Sequence, residues 1–188
     1  MFLSHKTIER LLDEGALIIT NFDRKDIRPV GIRVHLAKDI LIPESGQAVE
    51  ISGGAQDLKY REVDVTKEEF FLEPGGFILA ATEEAIQTPK NIMAVLDGRS
   101  TVARLGLTTH VTASIIDGTF EVPHVPVLEI KNLGNFRVRL KHMDPIGMML
   151  FAELSEPVTQ KVHHQYRGSQ NKATPPNLEF KPGEDEWS

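Results

Sequence analysis

Phe70-Phe71-Leu72-Glu73-Pro74-Gly75-Gly76-Phe77-Ile78-Leu79-Ala80-Ala81-Thr82 reads as strand, turn and strand. The flanks are apolar and carry residues that suit a pleated, half-buried surface. Between them, Pro74 fixes one φ and the two glycines accept turn conformations closed to other residues. Downstream, Ile92 to Leu96, Leu107 to Ile116, Val125 to Asn132, Phe136 to Leu140 and Ile146 to Leu154 have the length and composition of strands. Gly134-Asn135 and Asp144-Pro145 supply turns between them. Upstream, Leu17 to Thr20, Ile32 to Leu36 and Ala48 to Ser52 are further strands, the last followed by a Gly53-Gly54 turn. Ser4 to Glu14 instead has helical period: Ile8, Leu11 and Leu12 form a stripe, Ser4 is placed to cap it and Gly15 to stop it. Many short strands with close turns and one leading helix predict a mainly β barrel or sandwich.

The chain has 188 residues, enough for one domain with a real core. We expect a β domain over 1–156. The stretch 157–188 is polar, carries Pro175-Pro176 and ends acidic, so it reads as a tail or as a lid over the site. A net charge of −6 argues against a general nucleic-acid or membrane-surface binder. There is no cysteine, which excludes disulfides, thiolate nucleophiles and cysteine-ligated zinc. No apolar run has the length of a membrane span and no signal-peptide pattern is visible, so the expectation is a cytoplasmic protein.

Candidate chemistry centres on two places. In Asp97-Gly98-Arg99-Ser100-Thr101-Val102-Ala103-Arg104 a strand runs through an Asp-Gly turn into a short helix. Free N–H groups and hydroxyls at its start make an anion site, Arg99 adds a planar fork, and Ser100 and Arg104 share one face. A plain capped helix with a solvated arginine is the competing reading. In Val125-Pro126-Val127-Leu128-Glu129-Ile130, alternation puts Val127 and Glu129 on one face and Leu128 and Ile130 on the other. Both faces are apolar, so Glu129 belongs in the core or at a cavity wall, where burial raises a carboxyl pKa into the range useful for proton transfer. An arginine-paired structural glutamate is the alternative. Asp117 ends a strand and is a turn former or a ligand contact. The seven histidines show no metal-site spacing. Tyr166 in the tail is within the range of a bound anion or base, or is solvated.

Taken together, Gly98-Arg99-Ser100-Thr101-Val102-Ala103-Arg104-Leu105-Gly106-Leu107, His110-Val111-Thr112-Ala113, Ile116-Asp117 and Leu128-Glu129-Ile130-x-Asn132 resemble the dCTP deaminase branch of the trimeric dUTPase superfamily. Leu3-Ser4-x-Lys6-x-Ile8 and the 71–79 hairpin extend the likeness over about residues 1–155. The resemblance implies a distorted dUTPase-like β barrel or sandwich, with an N-terminal helix and a short helix after the Gly-Arg-Ser turn. It implies a homotrimer with active sites at subunit interfaces, and hydrolysis of the 4-amino group of dCTP to give dUTP and ammonia without zinc. By the same resemblance Glu129 moves the protons, while Ser100, Arg104 and the Ala113 carbonyl hold the water and the developing charge. Arg99, Ser100 and Thr101 meet the triphosphate, whose Mg²⁺ arrives with the nucleotide. Asp117 takes the deoxyribose 3′-hydroxyl, Val127, Leu128 and Glu129 read the base beside Val111 and Thr112, and Tyr166 and Gln170 close over the substrate.

Departures from that pattern sit at Gly118-Thr119-Phe120-Glu121-Val122-Pro123-His124, a longer hairpin, and at Pro126, which enters the Glu129 strand and predicts a bulge or an edge. Arg33 stands where an Asp is common, and Gln165 and Ser169 where a Lys and a Gln often close over phosphates. Ser114-Ile115 resembles relatives that carry dUTP onward to dUMP, whereas Met148 resembles those that release dUTP. A dUMP-forming deaminase, a dUTP pyrophosphatase and a non-catalytic nucleotide binder are the alternatives.

Overall fold

The computed structural model describes residues 1–51, 57–117, 122–159, 172–176 and 178. It opens with helix α1 (His5–Asp13), strand β1 (Ile18–Ile19), a 3-10 turn at Arg24–Asp26, β2 (Ile32–His35), β3 (Asp39–Pro43) and β4 (Tyr60–Asp64). β5 (Phe70–Leu72) and β6 (Phe77–Ala81) follow, joined by a turn but set in different sheets and unpaired with each other, so the 71–79 stretch is not a hairpin. Then come β7 (Ile86–Gln87), β8 (Ile92–Gly98) and the short helix α2 (Ser100–Arg104). The chain continues through β9 (Leu107–Thr108), β10 (Ile115–Ile116), β11 (Val127–Asn132), β12 (Val138–Leu140) and β13 (Pro145–Glu153).

The mainly β expectation holds, but the described strands form separate sheets rather than a closed barrel. One sheet has the order β10-β8-β13-β2, a second β4-β3-β6-β11-β9, and two pairs, β1-β7 and β12-β5, flank them. The inner faces meet in one core in which Ile8, Ile32, Ile78, Leu128, Ile130, Met149 and Phe151 are inaccessible to solvent. Each such side chain contributes about 1.5–3 kcal/mol by leaving water.

Several boundaries differ from the sequence reading, each for a local reason. Ser4 precedes α1 without a side-chain cap; the His5 N–H donates instead to the Pro29 carbonyl at 3.1 Å. Asp97-Gly98 is not a turn: β8 runs through it because Gly98 pairs with Gly147 of β13. Ala48 to Glu50 are not strand. There the Gln47 side chain donates to Glu44 O and Lys59 O and accepts from Lys59 N, closing the loop with side-chain bonds in place of a ladder. The strand expected over Leu107 to Ile116 is two short pieces, β9 and β10, around an irregular stretch at 109–114. Pro126 falls just before β11, which lies inside its sheet between β6 and β9 rather than at an edge. Its carbonyl accepts from Thr82 N at 3.0 Å.

Candidate active site

Along β11, Leu128, Ile130 and Asn132 are buried while Val127, Glu129 and Lys131 are half-buried. Glu129 stands opposite Leu79 of β6. It opens on a cavity of about 540 Å³ walled by Tyr60, Phe77, Leu79, Leu96, Ala113 and Val127, with Ser114, Asp117 and His124 as its polar side. The irregular 109–114 stretch supplies the other wall, held by the Ser114 carbonyl accepting from Leu96 N at 2.8 Å.

Burial pushes the Glu129 carboxyl above the ordinary glutamate range, and a hydrogen bond from the Val111 N–H and the nearby His110 pull it back less strongly. Its Oε2 is buried and has no hydrogen-bond partner. A buried carboxyl oxygen left unpaired is costly in its ionised form. His110 stands behind it, with Nε2 at 3.9 Å from Asp97 Oδ1, too long for a hydrogen bond, and with a buried, unpartnered Nδ1.

A second cleft of about 280 Å³ lies at the far end of β8, lined by Arg28, Arg33, Gly98, Arg99, Ser100, Thr101 and Met148. Arg99 is anchored there, its Nη1 donating to the Pro145 carbonyl at 2.6 Å. Behind it is a buried charged group. Asp26 Oδ1 lies 3.5 Å from Arg33 Nη1 and 3.8 Å from Arg28 Nη2, while the His35 Nδ1 donates to Glu84 at 2.6 Å. Guanidinium forks and hydroxyls match phosphate oxygens better than a metal ion. Among the described residues no group of three or more His, Asp or Glu side chains is placed to hold a metal.

The structure therefore brings Glu129, Ala113, Asp117 and Val127 to one cavity and Arg99, Ser100 and Thr101 to another. The two share no lining residue, and Ser100 lines only the second. Arg104 is exposed and lines neither. Leu128 turns its side chain into the core, so only its backbone is available to a ligand. Val111 and Thr112 are exposed and line neither cavity, though Val111 contributes its N–H to Glu129. Tyr166 and Gln170, like the 118–121 hairpin, lie outside the described residues. Of the 157–188 stretch, Thr174 and Pro176 line the Glu129 cavity, and Ala173 packs with Leu41, Leu79 and Val125.

Sequence reasoning missed Tyr60, Phe77 and His124 at the first cavity, His110 beside Glu129, and Arg28 and Arg33 at the second. The available signal was slight: an arginine on either side of Pro29-Val30-Gly31-Ile32, with Asp26 two residues earlier.

Among known proteins, a family model described as dCTP deaminase-like matches residues 2–154. The chain is 33% identical over 176 residues to a Streptomyces coelicolor protein named dCTP deaminase, dUMP-forming, covering 90% of this chain and 88% of that one. It is 32% identical over 186 residues to a Haemophilus influenzae dCTP deaminase, covering 91% and 94%. In structure it is similar to 2′-deoxycytidine 5′-triphosphate deaminase from Agrobacterium tumefaciens, with TM-score 0.61 and 18% identity, over 80% of this chain and 47% of that one. That likeness speaks to the fold, and the long sequence matches to descent. The chain belongs to the dCTP deaminase-like family.

Proposed function

We propose that this protein is a dCTP deaminase that releases dUTP and ammonia, with Glu129 carrying the protons. The observation that carries the reading is one carboxyl, pushed up by burial and with an unpartnered oxygen, at the wall of a nucleoside-sized cavity. As carboxylate, Glu129 takes a proton from water, and the resulting hydroxide adds to C4 of the cytosine ring. The carboxylic acid then gives that proton to ring N3, and the carboxylate takes the proton of the new C4 hydroxyl and delivers it to the departing nitrogen. The C4–N bond breaks, ammonia leaves, and the C4–O bond becomes the uracil carbonyl. A carboxyl with a raised pKa suits both transfers. In this reading the Ala113 carbonyl holds the water, Asp117 takes the 3′-hydroxyl, and Val127 to Glu129 read the base beside Val111 and Thr112.

Phosphate recognition falls to Arg99, Ser100 and Thr101. Because that cleft and the Glu129 cavity are separate within the chain, we assign a complete site to two copies. A homotrimer then carries Ser100 and Arg104 of one copy to the reacting water held by the next, where a guanidinium stabilises developing charge. Mg²⁺ enters as part of the substrate, on the phosphates. Tyr166 and Gln170 are assigned to closure over the bound nucleotide. Release of dUTP rather than dUMP is supported by Met148 in the arginine cleft, whose thioether is too weak an acceptor to orient a water for attack on phosphorus.

Incubation with dCTP and Mg²⁺, followed by chromatography of the products, tests the reading. Absence of any deoxyuridine nucleotide overturns it, and dUMP with pyrophosphate overturns the product assignment. Glu129→Gln is expected to lose about 10²–10⁴-fold in turnover while dCTP still binds.

A further inference from the structure

The cleft beside α2 holds more positive charge than one phosphate-binding arginine explains. Arg28, Arg33 and Arg99 all line it, and their one ion-pair partner among the described residues is Asp26. That carboxylate is 4% exposed, and its Oδ1 reaches neither guanidinium at hydrogen-bond distance. His35 Nε2 lies 3.9 Å from the same oxygen, too far for a hydrogen bond, while its Nδ1 and its backbone N–H are committed to Glu84. The Arg33 Nε is buried and has no partner at all. Buried donors are normally satisfied, and the Arg28 and Arg33 side chains keep 34% and 28% of their surface open to the cleft and solvent. Here two arginines are held in place by a distant carboxylate with donor capacity left over.

We propose that Arg28 and Arg33 are anion-binding residues which, opposite Arg99, Ser100 and Thr101, grip a linear polyphosphate. Asp26 is a positioning residue that steadies the two arginines from behind. Planar forks that present several donors to phosphate oxygens are the chemistry this side-chain set offers. The inference rests on the nucleotide reading above and extends it: the polyphosphate is that of the nucleotide, held by two cations beyond the Arg99 turn.

The test uses the full chain, titrated calorimetrically with Mg-free inorganic tripolyphosphate, with dCTP and with deoxycytidine. Two variants are compared with the parent: Arg28→Gln, and the pair Arg33→Gln with Asp26→Asn, which removes the cation without stranding a buried carboxylate. Each is expected to weaken tripolyphosphate and dCTP binding by roughly tenfold or more, as for loss of a charge-assisted hydrogen bond, and to leave deoxycytidine binding as it was. Arg33→Lys, which keeps the charge and loses the fork, is expected to fall between. In the deamination assay the loss falls on KM more than on kcat. Tripolyphosphate is expected to compete with dCTP; non-competitive binding would mean a free-anion site and overturns the nucleotide assignment. Failure of the parent to bind tripolyphosphate, or equal affinity in parent and both variants, overturns the proposal even if dCTP is deaminated. Tripolyphosphate binding that depends on both arginines, in a protein inert towards dCTP, upholds the grip and overturns the deaminase reading instead.

Discussion

Replacing Asn132 by alanine removes the clamp at the end of the strand that carries Glu129. The Asn132 side chain is inaccessible to solvent, and its Nδ2 donates to the Leu72 carbonyl at 2.9 Å and to the Phe136 carbonyl at 3.0 Å. Its Oδ1 accepts from Gly134 N at 2.9 Å. The Leu72 bond is fully buried, so losing it strands an acceptor at about 1–3 kcal/mol. The other two bonds are partly wetted, and about 0.5–1.5 kcal/mol each is the ordinary net value. The expected loss is therefore about 2–6 kcal/mol, or roughly 4–24 °C in Tm for a domain of this size. Urea denaturation followed by circular dichroism at fixed protein concentration measures it. Asn132→Asp sharpens the test, because it keeps an acceptor for Gly134 but sets a carboxylate against two carbonyl oxygens. Its destabilisation should grow as pH rises and the carboxyl ionises. A loss below about 1 kcal/mol for the alanine variant, or a pH-independent loss for the aspartate, refutes the clamp.

Glu129→Gln should raise Tm near neutral pH. Burial lifts the native carboxyl above its unfolded value, so the native state binds more protons between the two, and wild-type stability falls as pH rises through that window. The variant's advantage should therefore be present above the window and vanish at acid pH; an advantage that persists in acid contradicts it. The acid limb of kcat/KM for dCTP should lie above the ordinary carboxylate range and should be absent from the residual activity of Glu129→Gln. Gly31→Ala should destabilise by about 2 kcal/mol or more, because φ is +84° and a Cβ would overlap the Met149 carbonyl of β13; thermal unfolding reads it. Gly106→Ala should behave alike, with φ of +81° and a Cβ placed 2.5 Å from Gly134 N.

Much of the fold was legible because local signals agreed. The strand-turn-strand of β5 and β6 has its turn chemistry and its apolar flanks in one stretch, though nothing local shows that β5 pairs with β12 and β6 with β11 rather than with each other. Helix α1 shows its stripe and its stop at Gly15, where φ is +68°. The 109–114 stretch was not legible, since its composition fits a strand. What breaks it is the use of its backbone elsewhere: the Val111 N–H serves the Glu129 carboxyl rather than a neighbouring strand. Ala48 to Glu50 failed for a related reason, the Gln47 amide having replaced a ladder. Within the site, strand alternation was enough to put Glu129 on a cavity wall. It was not enough to show that His110 stands behind it, because that depends on how an irregular segment crosses β11. The arginine cleft joins the 3-10 turn, β2 and the start of α2, a meeting no short-range pattern encodes.

Strand β8 bears on both cavities. Leu96 lines the one with Glu129, and two positions further on Gly98 lines the one with the arginines. At about 3.3 Å per residue those positions are separated by less than 10 Å. Where sites are shared between copies, each β8 is a strut between two reaction centres, filling the base end of one and the phosphate end of another. It is pinned along its length by β13, so it has little freedom to slide. A ring of such struts would fix the spacing of all the centres by a single rigid element, and a substitution in β8 would detune two of them at once.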